Sequence, residues 1–267
     1  MRDVLRHLGA KLDDVTLRPL QDYNDVRVLL QEPEVFAIHQ ADLIKRPGDY
    51  ARDFLGRALP ACLLGPHVYI QAGRQRRKMI DQMLASLESR DALVTIGPGP
   101  APRFDAQRTF GFFHAFWGKP NLTSPFSVTG FPALNVYTGH TKLGLPLSMQ
   151  IAARPFEDAM VLRIGDAYER ATQWRTRRPQ LVQGASHPAI ELAAEPPSPT
   201  LNSRMQTFIE CSAEQAGLRL TGEQMELLFR AAPYALAMAL RVCNGHDWSL
   251  EPAAAFRLEE FVCWSSP

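Results

Sequence analysis

The sequence predicts an α/β fold, a sheet flanked by helices, followed by a small all-helical unit at the C-terminal end. Three observations carry this. Over residues 1–179, apolar stripes at helical spacing alternate with short apolar runs of strand length. Between 180 and 203 the chain places Pro188, Pro196, Pro197 and Pro199 among Ala, Glu and Ser, the composition of an extended linker. Across 204–267 the patterns are helical, with their own start and stop signals.

Taken in order, Val4, Leu5 and Leu8 read as the end of an amphipathic helix closed by Gly9. Leu12, Val15 and Leu17 then alternate with polar residues as in a strand. Residues 22–44 carry Val26, Leu29, Leu30, Phe36, Ile38 and Leu43 in a mostly helical pattern. Pro33, which has no amide N–H, is expected to break or kink it. A helix over about 66–89 is predicted from the stripe Met79, Ile80, Met83, Leu84 and Leu87. The run 92–96, bounded by Arg90-Asp91 and Gly97-Pro98-Gly99-Pro100, reads as a buried strand. Strands at 133–137 and 147–152 are separated by a glycine-bearing turn over 139–144. A helix over 157–174 should bury Met160, Ile164, Ala167, Ala171 and Trp174. In the helical unit, Met205, Phe208, Ile209 and Ala216 mark one helix ended by Gly217. Thr221 and Gln224 have capping-box spacing for a second helix, and Pro233 is expected to open a third that stops at Asn244-Gly245.

Composition narrows the function classes. With 46% hydrophobic and 21% charged residues the chain is an ordinary globular protein, and at 267 residues it can bury a sizeable core. A net charge of +1 leaves no electrostatic footprint for nucleic acid, so no such partner is expected. The basic run 74–78 falls in a helical pattern and reads as a solvated face. Charge appears before any apolar run at the N-terminus, and no uncharged apolar stretch reaches membrane-spanning length. These features predict a cytoplasmic location and no membrane association. Cys62, Cys211, Cys243 and Cys263 show no CxxC spacing and read as reduced thiols, and the seven histidines form no close cluster. Neither a metal nor a cofactor is expected.

Three blocks follow one another in order. They are Pro125-Phe126-Ser127-Val128-Thr129-Gly130-Phe131-Pro132-Ala133, Gly144-Leu145-Pro146-Leu147-Ser148-Met149-Gln150 and Arg154-Pro155-Phe156-Glu157-Asp158. Tyr168-Glu169 and Trp174 lie downstream. Tyr69-Ile70-Gln71-Ala72, Asp91-Ala92-Leu93-Val94 and Ala101-Pro102 lie upstream. In this order they resemble the PFNxTGxPA, GLPxGxQ and RPFxD blocks of the amidase-signature family, enzymes that hydrolyse or transfer carboxamides. The resemblance spans residues 5–179 and implies part of that family's mixed sheet with flanking helices. It implies that residues 1–179 are the C-terminal half of an amidase-signature domain of a bacterial amidase, 180–203 a linker and 204–267 a helical appendage. It also implies a wall of a pocket for a small carboxamide at Phe126, Ser127 and Thr129. The appendage, with Leu220-Thr221-Gly222-Glu223-Gln224, Ala231-Ala232-Pro233-Tyr234 and the block from Trp248 to Ala253, resembles C-terminal extensions of some bacterial amidases. Such a unit suits contact with a protein partner or a second copy of the chain.

The family mechanism uses a serine nucleophile, a second serine in a cis peptide and an unprotonated lysine, with oxyanion donors from a glycine-rich loop. A serine hydroxyl needs an adjacent base at neutral pH. This sequence has no GSS[GS]G motif, and its only Ser-Ser is Ser265-Ser266. Lys11, Lys45, Lys78, Lys119 and Lys142 all lack the apolar context that would depress a lysine pKa. No residue is therefore assigned a catalytic role. Ser127 stands where the family carries Asn, Asn135 and Tyr137 where it carries Ser and Pro, and Ser148 where it carries Gly. His114 and Trp117, in the aromatic run 110–117, read as a packed loop, with a pocket lining as the second reading.

The expected function is thus carboxamide C–N hydrolysis by a truncated family member, inactive as an isolated chain. The alternative is a non-catalytic subunit that completes or regulates a partner carrying the serine–lysine half. A lower alternative is the glutaminase subunit of a tRNA-dependent transamidation complex, which usually carries an Asp before the PFN-like segment. Gly118-Lys119-Pro120-Asn121 has none.

Overall fold

The computed structural model describes residues 1–99, 117, 120, 122–142, 144–176, 178 and 200–244. The Ala101-Pro102 block, His114, Lys119, most of the proline-rich stretch, Cys263, the Trp248 block and Ser265-Ser266 lie outside the described residues. Helices dominate and a small sheet is set against them. In chain order the elements are α1 (Arg2–His7), α2 (Leu20–Lys45), α3 (Arg52–Ala58), α4 (Pro66–Ser86), β1 (Leu93–Ile96), α5 (Ser124–Thr129), β2 (Ala133–His140), β3 (Pro146–Ala152), α6 (Asp158–Arg170), α7 (Ser203–Gln215) and α8 (Gly222–Cys243). No described helix is long and apolar enough to cross a membrane.

Two cores form. The larger is helical: α2, α4 and α8 pack on one another, with α3 and α5 against them. It encloses Leu29, Leu43, Leu59, Met79, Met83 and Leu87, each almost wholly buried. Ile209 and Ala213 of α7 and Leu227, Leu228 and Met238 of α8 belong to the same core. The termini of these two helices are set locally. Asn202 accepts the Met205 amide at the start of α7, and Thr221 and Gln224 close a full capping box at the start of α8.

The second core lies between the sheet and α6. β3 is central, with β1 and β2 antiparallel on either side. Val136, Met149 and Ile151 meet Val161 and Tyr168, and Leu5 of α1 joins them. The buried stripe of α6 is Val161, Gly165 and Tyr168, whereas Ala171 is exposed and Trp174 sits beyond the helix in a short 3₁₀ turn. The predicted stripe is thus rotated, because Gly165 occupies its centre. A Cβ there would lie 2.4 Å from Leu134 Cδ2, so the missing side chain is what lets α6 approach β2.

Other expectations change for physical reasons. Residues 11–19 form no strand: Leu12 packs on the sheet core while Val15 and Leu17 pack on the helical core, so the segment bridges the two. Arg90 Nε donates to Asp13 Oδ2 at 2.8 Å and ties this bridge to the turn before β1. β1 is an edge strand and Ile96 is 66% exposed, so it is half-buried. Pro33 lies inside the unbroken 26-residue α2, and Pro233 inside the 22-residue α8 rather than at a third helix start. In both, burial on each side of the proline outweighs the lost hydrogen bond.

Candidate functional site

The segment holding Phe126, Ser127 and Thr129 is the six-residue helix α5. Pro125 suits its first turn, where amide N–H groups have no helical partner. Gly130 ends it in the left-handed region (φ 76°), its amide donating to Phe126 O at 2.9 Å. A helix this short is not stable alone, and two arginines hold it. Arg27 Nε of α2 donates to Ser124 Oγ at 3.3 Å, and Arg76 Nε of α4 donates to Val128 O at 2.7 Å.

This clamp sorts the three side chains. Phe126 is buried in the helical core. Thr129 is buried, and its hydroxyl donates to Pro125 O at 2.7 Å. Ser127 is exposed, its hydroxyl donating to Thr123 O at 3.0 Å. Of the three, Ser127 is the one whose polar group faces solvent.

Behind α5 runs a buried polar network that the sequence did not disclose. Arg27 also donates to Gln31 Oε1 at 2.8 Å and to Asn24 Oδ1 at 3.2 Å. Burial pushes the Arg27 pKa down, partly opposed by Glu32. Glu32 is fully buried and meets Arg57 at 3.5 Å, while its Oε2 has no hydrogen-bond partner among the described residues. Desolvation raises the Glu32 pKa above the ordinary 4.5, against the pull of Arg57 and Arg27. The folded protein therefore keeps this proton where the unfolded chain has released it. Its stabilising contribution is complete below about 4.5 and is lost as pH rises through the higher folded value. Thermal melts of Glu32→Gln should match the parent at pH 4 and exceed it at pH 8 by on the order of 1 kcal/mol. Parallel profiles across that range would contradict the buried-acid description.

The sheet adds a polar rung. Thr95, Gln150 and Asn135 are register partners across the three strands. Gln150 is buried, and its Oε1 and the Thr95 hydroxyl have no hydrogen-bond partner among the described residues. Further along β2, past a bulge between Tyr137 and Gly139, the Tyr137 hydroxyl pairs with His140 Nε2, and Trp174 packs edge-on to both rings. The bulge makes this grouping, so the spacing of the sequence did not reveal it. Arg154, from the Arg-Pro-Phe block, donates to the Arg90 carbonyl at 3.0 Å and pairs with Glu157, which fixes the turn between α4 and β1.

The described residues offer recognition groups, and no serine among them is seen beside a base. Ser86, Ser127 and Ser212 donate to backbone carbonyls, and Ser124 faces Arg27. Lys11, Lys45 and Lys142 are exposed. Burial pushes the Cys62 thiol up to about 12, which leaves almost no thiolate at neutral pH. Trp117 is buried, its indole N–H donating to Gly56 O at 3.2 Å.

Comparison with known proteins adds to this geometry. The Amidase family model matches residues 58–162, which run from the end of α3 into α6 and contain α5 and the three described strands. An amidase of Pseudomonas putida is 31% identical over 185 residues, covering 67% of this chain and 40% of that protein. In Chloroflexus aurantiacus, the A subunit of glutamyl-tRNA(Gln) amidotransferase is 33% identical over 114 residues, covering 43% of this chain and 23% of that protein. The chain therefore spans two-fifths or less of the length of these relatives. A solved structure from a vestigial protein complex, described as revealing the evolutionary origins of an s-triazine catabolic enzyme, shares the fold. It has a TM-score of 0.54 and 23% identity, over 63% of this chain and 38% of that one.

Proposed function

Residues 58–162 are an amidase-family segment, and from that premise we propose that the chain forms part of a site that hydrolyses the C–N bond of small carboxamides. The observation that supports this reading is α5 itself. It lies within the matched segment, is clamped by Arg27 and Arg76, and presents the Ser127 hydroxyl beside the buried Phe126 and Thr129. In this reading Ser127 meets the acyl part of the substrate, and the buried Phe126 and Thr129 back the wall that carries it. The nucleophilic serine, the cis-peptide serine and the lysine come from polypeptide outside these residues. In the reaction the serine oxygen bonds to the carbonyl carbon, the C–N bond breaks as the nitrogen takes the proton, and water then releases the acid.

Ammonia release from a panel of small carboxamides tests this. The chain alone should show no turnover, and addition of a polypeptide carrying the serine–lysine half should produce it. In that mixture Ser127→Ala should raise KM several-fold and leave kcat within about twofold, as loss of uniform binding does. Turnover by the chain alone, abolished by a fluorophosphonate, would refute the division of labour. Silence of the mixture would refute the assignment. The kinship to the amidotransferase protein supports a second reading, in which the ammonia passes to an acyl acceptor held by a protein partner. Under that reading, glutamine would be the hydrolysed amide.

A further inference from the structure

A cavity of about 280 Å³ opens where α2 meets α8. It is lined by Gln21, Trp117, Tyr234, Ala237 and Arg241. Its volume is below the range of drug-sized pockets and suits a single-ring molecule. The lining has two kinds of surface. Trp117, almost wholly buried and fixed by its bond to Gly56, shows the cavity only an aromatic edge, and Ala237 stands exposed at the rim.

The polar groups converge on one side. Arg241 is held in place by Asp25, through Nε to Oδ2 at 2.5 Å and Nη2 to Oδ1 at 2.9 Å. Asp25 also accepts from Gln21 Nε2 at 2.6 Å and is itself buried, so its charge is fully engaged. Arg241 lines the cavity and Asp25 does not. The Nη1 of Arg241 and the Tyr234 hydroxyl have no hydrogen-bond partner among the described residues, and the Arg241 side chain remains 47% exposed. A guanidinium already oriented by a buried carboxylate, next to a phenol, provides planar donors for a second carboxylate at little ordering cost.

We propose that this cavity binds a small carboxylate with a flat apolar body, of the size of benzoate. The ring lies against Ala237 and the edge of Trp117, and the carboxylate between Arg241 and Tyr234. This site does not depend on the amide chemistry assigned to α5.

Titration of the full chain with benzoate, followed by calorimetry and by saturation-transfer NMR of the ligand, tests it. Benzoate should bind saturably, one per chain, and acetophenone, its neutral isostere, at least about tenfold more weakly, the worth of a charged hydrogen bond. Acetate, which lacks the ring, should also bind at least about tenfold more weakly. Tyr234→Phe should weaken benzoate several-fold, and Ala237→Phe, at an exposed rim position that leaves the core untouched, should abolish binding. Equal affinity for benzoate and acetophenone, unchanged binding by a folded Ala237→Phe variant, or no saturation in the millimolar range would each overturn the proposal.

Discussion

Replacing Tyr168 by alanine should cost the protein about 3–5 kcal/mol, the range for deleting a large buried aromatic side chain, whereas phenylalanine at the same position should cost nothing. Tyr168 has no exposed surface and fills the space between α6 and the sheet, beside Met149, Ile151 and Val136. Among the described residues, the sheet has three strands, and the 13-residue α6 lies over it. The hydroxyl is a separate matter. It is buried and has no hydrogen-bond partner among the described residues, so removing it relieves a desolvated polar group and should add up to about 1 kcal/mol. Urea melts of the two variants decide the point. A Tyr168→Phe variant destabilised by more than about 1 kcal/mol would show that the hydroxyl is bonded after all.

The second large effect is expected at the pair that joins α2 to α8. Arg241→Ala should destabilise by about 2–3 kcal/mol. This is somewhat below the value for a wholly buried pair, because the Arg241 side chain is 47% exposed. The cost arises on the other side of the bond, where Asp25, 3% exposed, would keep a buried charge with Gln21 as its remaining donor. Converting Asp25 to Asn in the Arg241→Ala background should therefore restore at least half of the loss. A double-mutant cycle with a coupling near zero would mean that the pair is incidental to the packing of α8.

How much of this was legible in the sequence depended on distance along the chain. The β2–β3 hairpin, the Thr221–Gln224 capping box and the Gly217 helix end rest on neighbours a few residues away, and each emerges as the pattern predicts. Pro33 and Pro233 read as breaks because local chemistry opposes helix there. What overrides it is burial against elements remote in sequence. Gly165 misplaced the stripe of α6 for a related reason, since a residue without a side chain leaves no apolar mark while permitting the closest contact. At the candidate site, the motif located Phe126, Ser127 and Thr129 but did not order them by exposure. That ordering comes from Arg27 and Arg76, which lie 97 and 52 residues from their partners on α5. Nothing in the spacing of the sequence links those arginines to that helix.

The union of α2 with α8 also constrains how the protein is made. Asp25 and Arg241 are 216 residues apart, and the helical core that contains Leu29 and Leu43 is closed by side chains of α8. On the ribosome, α2 emerges long before α8 exists. At about 5–20 residues per second, α4 follows within seconds, but the part of the α2 face that α8 covers waits tens of seconds. During that interval Pro33 keeps α2 from holding a helix on its own. The helical core is completed only once α8 has been made.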